Sequence, residues 1–395
     1  MGLKQSAISE NKFESDAMSR KWYDDQLIKR DEDVDFEVEG WYEILRNETF
    51  PTEFIPISQS MAQAFVNYYQ TRYSSTKMLN TNDIELIQSM ENQLKQRISN
   101  NETFIRLSSR SPKDGKPLDP QKMSQIYREK FEELKIENPD EYLTNEGKAN
   151  MQMIAFCYAQ NHALKVTNEI EALNLLLSSK RVYDDLNEVL DCEKVKANQI
   201  ENKTNVKLHD WNNHIILRQW NERFDPFMEF HCFVYQSKLT FISQYDCCYK
   251  YYHLQDETSI EQIKNTIIQY WKEKIQPLLD PYPEKFTNYV IDIGLIENQS
   301  TNKYDCIIIE MNPFGTTSGG SLFHWIDDND RLRGNGNDVE IRIQRNYYPD
   351  IQDYIAFILE VNQCNMNEEN NSSDDYPRPK PYYTFLNEMK SELSS

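Results

Sequence analysis

The sequence predicts an α+β protein, on three observations. Apolar residues recur at helical spacing through the first half of the chain. They switch to period two from Asn213 onward, and helical spacing returns as an inserted segment at about 258–278. A helix-rich region followed by a strand-rich region with one inserted helix argues for helices and sheets held in separate layers.

Residues 1–38 are dense in charge, with Asp24, Asp25, Asp31, Glu32, Asp33 and Asp35, and are expected to form a disordered polar leader. Order is expected from Trp41-Tyr42 through a short extended piece, Phe54-Ile55-Pro56-Ile57. Met61, Ala64, Phe65 and Tyr68 predict a helix over 61–73, and Ile84, Ile87, Met90 and Leu94 predict another over 83–98. A strand at 103–107 should end in the Ser-Pro-Lys-Asp-Gly turn. Helices are expected over 121–136 and 147–177, the second closing on Leu173, Leu175, Leu176 and Leu177.

Strands follow at 214–218, 230–235 and 238–244, the last two joined by a tight Gln236-Ser237 turn. The inserted helix carries Ile260, Ile263, Ile267, Ile268 and Trp271 on one side. Two strongly apolar strands at 289–296 and 305–311, a strand at 339–344 and a helix at 350–361 should complete the core. Asn- and Asp-rich low complexity over 362–375 reads as a solvated tail. The expected divisions are a leader, 1–38; an N-terminal α-rich lobe, 39–212; a C-terminal lobe, 213–361; and an acidic, polar tail, 362–395.

Sixty-four acidic against 43 basic residues give a formal net charge of −21, which repels a phosphate backbone and disfavours nucleic acid as a partner. No run of eighteen apolar residues exists, so no membrane span is expected. The first thirty residues have no apolar stretch that would read as a signal peptide. The seven cysteines, at 157, 192, 232, 247, 248, 306 and 364, show neither a CxxC pair nor regular spacing. Reduced thiols in a cytoplasmic chain fit that pattern better than zinc or a disulfide framework. Aromatic residues, 12% of the chain, supply core volume that aliphatic counting misses.

Asp292, Glu310 and Asn312 are the most informative residues. Alternation along a strand puts Ile308, Glu310 and Asn312 on one face and Ile307, Ile309 and Met311 on the other. Val290, Asp292 and Gly294 likewise lie together, opposite Ile291, Ile293 and Leu295. A symmetric hairpin centred on Thr301 would set Asp292 directly opposite Glu310. Opposed carboxylates repel unless a cation lies between them, and Asn312 adds a neutral oxygen. That donor set suits Mg2+. A single acid on an apolar strand more often pairs with Lys or Arg, but three oxygen donors in register favour the metal.

Residues 313–321, Pro-Phe-Gly-Thr-Thr-Ser-Gly-Gly-Ser, hold three of the ten glycines and can turn backbone N–H groups toward a phosphate, although the Walker pattern is absent. As a plain turn the segment is equally well explained. Arg106, between Ile105 and Leu107, forms with Arg110 and Lys113 a local basic spot that suits an anion or a solvated turn. Ile215–Trp220 runs from apolar strand to polar-aromatic exit, a hinge at which an adenine edge would be read beside Trp220. His231, on the strand at 230–235, faces the same cleft or serves as a core histidine.

The runs Arg218-Gln219-Trp220, Met228-Glu229-Phe230-His231-Cys232-Phe233-Val234 and Ile242-Ser243-Gln244-Tyr245-Asp246 resemble the cell division cycle protein 123 family. Glu310-Met311-Asn312-Pro313-Phe314-Gly315 and Ser321-Leu322-Phe323-His324-Trp325 carry the same resemblance. It extends more weakly to Ser111-Pro112-Lys113-Asp114 and covers about residues 41 to 345. The resemblance implies an ATP-grasp-like fold, in which two α+β lobes with antiparallel sheets clamp ATP and Mg2+. It implies that Asp292, Glu310 and Asn312 bind the metal, that Arg106, Lys113 and His231 contact phosphates, and that Arg218, Gln219 and Trp220 frame adenine. It also implies assembly of translation initiation factor two through its gamma subunit. Arg stands at 106 where the family has Lys, His at 231 where it has Arg, and Gly at 319 and 320 where it has Asp and Ser. Two alternatives remain open: an ATP-grasp ligase that joins a carboxylate to an amine through an acyl phosphate, and an interaction module that has lost its nucleotide.

Overall fold

A computed structural model describes residues 33–71, 79–98, 102–202, 210–298, 300, 303–334 and 338–348. The expected helix at 350–361, the tail and the leader before residue 33 lie outside the described residues. Within 1–38, residues Asp33–Phe36 form a 3-10 turn rather than a frayed end, and Val38 begins helix α1, Val38–Leu45.

Two sheets organise the chain. The first contains β1 (Thr52–Pro56), β2 (Thr103–Leu107), β3 (Lys165–Val166) and β4 (His214–Gln219), in the order β1-β4-β2-β3 and antiparallel throughout. The second contains β5 (Glu229–Tyr235), β6 (Lys238–Gln244), β7 (Tyr289–Asn298), β8 (Lys303–Pro313) and β9 (Glu340–Arg342), in the order β8-β7-β5-β6-β9. Among the described strands of this sheet, β6 and β9 form the one parallel pair. Gln236 and Ser237 take φ values of 49° and 54°, the left-handed pair that a two-residue hairpin needs to match strand twist.

Helices α2 (Gln59–Thr71), α3 (Thr81–Arg97), α4 (Pro120–Glu137) and α5 (Asn145–Ala163) fall close to their expected places. The helix expected over 147–177 is two elements. Lys165-Val166 leaves to pair with β2, and the Asn168 side chain accepts from the Ile170 and Glu171 N–H groups to start α6, Glu169–Ser178. Helix α7, Lys180–Asn202, was not foreseen, although Val182, Leu186, Val189 and Leu190 recur at helical spacing and are buried. Helix α8, Glu257–Tyr270, widens into a π turn over Trp271–Ile275 just ahead of Pro277, whose missing N–H and ring disturb an α ladder.

The layers do not divide at residue 212. Strand β4, expected in the C-terminal lobe, is central in the first sheet, where its alternation serves two cores. Ile215 and Leu217 join Ile55, Ile105, Phe65, Met90, Leu176 and Leu186 on one side. Ile216 faces the other way, into a larger core shared by Trp41, Tyr127, Phe131, Ile154, Phe230, Ile291 and Ile293. Helices α4 and α5 thus pack on the core of the second sheet although they precede it in sequence. The opposite face of β2 and β4 carries Arg106 and Arg218 and meets β8. There Ile308 N–H donates to the Glu48 carbonyl at 2.8 Å, joining β8 to the loop that precedes β1.

Candidate functional site

Asp292 lies directly opposite Glu310, and the reason is a bulge. Nearer the loop the hairpin pairs Ile293 with Ile308, Gly294 with Ile307 and Leu295 with Cys306. Continued without interruption, that register would put Ile309 opposite Asp292. The ladder slips by one residue between Asp292 and Ile293, and beyond the slip Asp292 faces Glu310 and Val290 faces Asn312. The expected face assignment therefore changes. Ile308 and Met311 share the core face with Ile293 and Ile291, whereas Ile309 turns with Glu310 toward the cleft. Gly294 makes room for this: a Cβ there would stand 2.5 Å from the Phe224 ring and 3.0 Å from Ile309 Cδ1.

A row of polar side chains crosses the second sheet, with Glu310 on β8, Asp292 on β7, His231 on β5 and Ser243 on β6 in register. Arg106 Nη2 reaches from the first sheet to donate to Glu310 Oε1 at 2.6 Å. Arg106 is almost wholly buried, while 26% of the Glu310 side chain is exposed to the cleft. Burial opposes Glu310 ionisation, but Arg106 first, then Lys113 and Arg218, hold its carboxyl below the usual range. Asp292 accepts from the His231 ring at Oδ1 and from Asn312 Nδ2 at Oδ2, the latter at 3.3 Å. Asn312 thus presents its amide nitrogen, not the expected oxygen, to the acid.

Desolvation lowers the His231 pKa, but Asp292 and the nearby carbonyls of Gly319 and Ser318 outweigh it and the net shift is upward. His231 and Asp292 are both buried and neither lines the cleft, so His231 serves as the partner of Asp292 and not as a cleft cation.

A cleft, open at its mouth, brings together Arg106, Lys113, Arg218, Gln219, Trp220 and Glu310 from the residues singled out in the sequence. Arg218 is buried. Its Nη1 donates to the Ile309 carbonyl, Nη2 reaches Thr49 Oγ1 at 3.4 Å, and the guanidinium lies 5.4 Å from the Trp41 ring centroid. Desolvation, with Arg106 adding repulsion, lowers its pKa to about 9. Trp220 is half-buried, edge-on to His162 at 5.5 Å, and its backbone N–H donates to the Glu102 carbonyl. Gln219 is exposed.

Lys113 donates to Tyr245 Oη at 3.1 Å. Desolvation pulls its pKa down, yet Tyr245, Glu229 and Glu310 hold the ammonium above its ordinary value. Sequence reasoning missed Glu229 as a site residue. Its carboxyl is pushed up to about 8 by desolvation first and then by Asp292 and Glu310, against the pull of Lys113. Glu229 precedes His231 by two residues on one strand, so alternation alone put it on the polar face. Among the described residues no group of three or more His, Cys, Asp or Glu side chains is arranged to hold a metal ion.

The glycine-rich segment folds over the sheet. Ser321 Oγ donates to the Tyr245 carbonyl, Leu322 N–H to Ser243 Oγ, and Trp325 Nε1 to the Gly319 carbonyl at 2.8 Å. Phe323 and Trp325 cover Phe233 and Phe241. Gly319 has φ +68°, and a Cβ on Gly320 would stand 2.0 Å from the Phe323 carbonyl oxygen. This turn has no room for the serine that the resemblance places at 320.

Two largely antiparallel sheets, with Arg106 and Arg218 of one facing the β7–β8 hairpin of the other and a bulge aligning Asp292 with Glu310, define an α+β protein with a cleft between its sheets. The chain belongs to the D123 family, that of cell division cycle protein 123: the D123 family model matches residues 154–355, slightly more than half of the chain. A relative named translation initiation factor eIF2 assembly protein, from Candida albicans, is 29% identical over 185 residues, 47% of this chain and 48% of its own. The Xenopus laevis protein of the same name is 29% identical over 185 residues, 47% of each chain. The chain spans about half the length of these relatives. The solved structure of Cdc123 from Schizosaccharomyces pombe is similar over 78% of this chain and 95% of its own, at 20% identity and a TM-score of 0.48.

Proposed function

We propose that the chain binds ATP with Mg2+ in the inter-sheet cleft, on an ATP-grasp-like scaffold, and acts as an assembly chaperone for translation initiation factor two. The observation that carries this reading is the convergence of Arg106, Lys113 and Arg218 on a cleft whose far wall bears Glu310, with Asp292 directly behind it. Three cations at one concave site suit a polyphosphate, and Trp220 at the exit of β4 offers a ring face to a base.

Asp292 and Glu310, with the Asn312 amide, are the residues that would hold Mg2+. Asp292 and Glu310 are opposed carboxylates, Glu310 is open to the cleft, and the Asn312 amide sits beside Asp292 and presents an oxygen on rotation about its last torsion. Mg2+ would supply charge neutralisation on the bound phosphates. Arg106 holds Glu310 in place, and His231 fixes the rotamer of Asp292.

The chaperone reading rests on the relatives' names and on family membership. The gamma subunit is the proposed partner, and a chain at −21 favours a basic docking surface on it. The test mixes the purified chain with the three separately purified factor subunits and follows trimer formation by size-exclusion chromatography. Faster trimer formation that requires ATP and Mg2+ supports the proposal. Unchanged assembly, with the gamma subunit eluting apart from the chain, contradicts it.

A further inference from the structure

The turn that carries Lys113 to the cleft is fastened from behind by residues that do not line the cleft. Gly115 N–H donates to the Pro112 carbonyl at 2.8 Å, so Lys113 and Asp114 are the two corner residues of one β-turn. Lys113 Nζ donates to Tyr245 Oη at 3.1 Å and lies 4.9 Å from that ring's centroid, on the cleft wall. Asp114 turns instead to the start of α7. Its Oδ1 accepts from Ser179 Oγ, and its Oδ2 accepts from the Arg181 N–H at 3.1 Å. Ser179 is fully buried and its hydroxyl is used twice, because the oxygen also accepts from the Val182 N–H at 3.1 Å and so caps α7. The flanks of the turn are tied to the same helix end. Arg181 Nε donates to the Ser111 carbonyl at 3.3 Å, and Lys116 N–H donates to Ser178 Oγ at 2.8 Å. Asp114 itself is exposed, so hydrogen bonds and not packing hold its side chain.

We propose that Asp114 and Ser179 are positioning residues for the polyphosphate end of the cleft: bonded to the Ser179 hydroxyl and the Arg181 N–H, the Asp114 carboxylate fixes the turn that aims the Lys113 ammonium at the bound anion. This role rests on the reading of the cleft as a nucleotide site. A lysine is a point charge on a flexible four-carbon stem, so its contribution to binding depends on where the backbone holds it. The carboxylate suits its place, since the free N–H groups and dipole of a helix N-terminus favour negative charge. Asp114 touches neither phosphate nor base and acts only through its neighbour.

Two measurements on the full-length protein test this, the first without any ligand. Limiting sulfosuccinimidyl acetate followed by peptide mapping by mass spectrometry compares the Lys113 amine with that of Lys194, whose side chain is 68% exposed. Lys113, bonded to Tyr245, should acylate more slowly than Lys194 in wild type. In Asp114→Ala and Ser179→Ala it should acylate about five- to tenfold faster than in wild type, since a pKa lower by about one unit frees about tenfold more amine. The second measurement is calorimetric titration with ATP, inorganic tripolyphosphate and adenosine. Both variants should bind ATP and tripolyphosphate about five- to tenfold more weakly, the weight of one charged contact, and adenosine as wild type does. Asn168→Ala removes the cap of the neighbouring helix α6 and should lower the melting temperature while leaving both readouts unchanged. Unchanged acylation of Lys113 in Asp114→Ala overturns the proposal whether or not the cleft binds ATP. So does an equal change in Asn168→Ala, or an equal loss of adenosine affinity. Faster acylation with no binding of ATP or tripolyphosphate to wild type contradicts the nucleotide reading and keeps the fastening of Lys113 by Asp114.

Discussion

Arg106 joins the two sheets through one ion pair, and its removal tests that join. Taking one partner from a buried pair costs about 3–5 kcal/mol because the other charge is left desolvated and alone. Glu310 is 26% exposed, so water reaches it and the lower end applies. Arg106 Nε also donates to the Leu107 carbonyl at 3.0 Å, a bond that contributes about 1 kcal/mol. Arg106→Ala should therefore lower unfolding stability by about 3–4 kcal/mol. Arg106→Lys keeps the charge but loses the planar fork, and should cost only about 1–2 kcal/mol. Urea unfolding followed by far-ultraviolet circular dichroism reads both, with the slope unchanged if the folded state stays compact. The Glu310 carboxyl is held below its usual range in the fold. Its contribution is present above the unfolded carboxyl value and is lost as pH falls through the lower folded value. The gap between wild type and Arg106→Ala should accordingly narrow in acid. A gap below about 0.5 kcal/mol at pH 7, or one that widens in acid, would refute the reasoning.

Two further outcomes follow from neighbouring features. Gly320→Ala sets a Cβ against the Phe323 backbone and should cost about 2 kcal/mol or more, whereas Gly319→Ala meets no atom and should cost the roughly 1–3 kcal/mol of a backbone conformation, φ 68° and ψ 163°, that essentially only glycine adopts; thermal unfolding of the pair measures both. Glu229, with its folded carboxyl pushed up to about 8, contributes stability that is complete below the unfolded value near 4.5 and is lost as pH rises toward 8. Glu229→Gln should remove that slope, and urea midpoints from pH 5 to 9 should show the variant gaining on wild type across the window and running parallel to it above.

The Asp292–Glu310 opposition was legible because period-two alternation and hairpin symmetry are local properties of one stretch of chain. The symmetry argument nevertheless reached the right pair by way of a register that the hairpin keeps only on one side of its bulge. Composition carries no trace of a one-residue slip, although Gly294, with no Cβ to clash with Phe224, marks where it is tolerated. The Arg106–Glu310 contact spans 204 residues and two sheets, so no spacing rule encodes it. The same holds for β4, whose apolar period says strand but not which sheet it joins. Helix α7 was readable from Val182, Leu186, Val189 and Leu190, but its many charges hid the stripe. Glu229 was passed over because a lone acid at a strand's first position looks solvated until Asp292 and Glu310 are set beside it.

The central claim is that the cleft takes ATP with Mg2+ on Asp292 and Glu310. Isothermal titration calorimetry with ATP, with and without Mg2+, on wild type, Asp292→Ala and Glu310→Gln tests it most directly, once circular dichroism has verified that each variant is folded. The account predicts Mg2+-dependent binding to wild type that weakens about tenfold or more in each variant, a loss of about 1.4 kcal/mol or greater. Equal affinity in all three proteins would contradict the metal site, and no heat in any of them would contradict the nucleotide cleft itself.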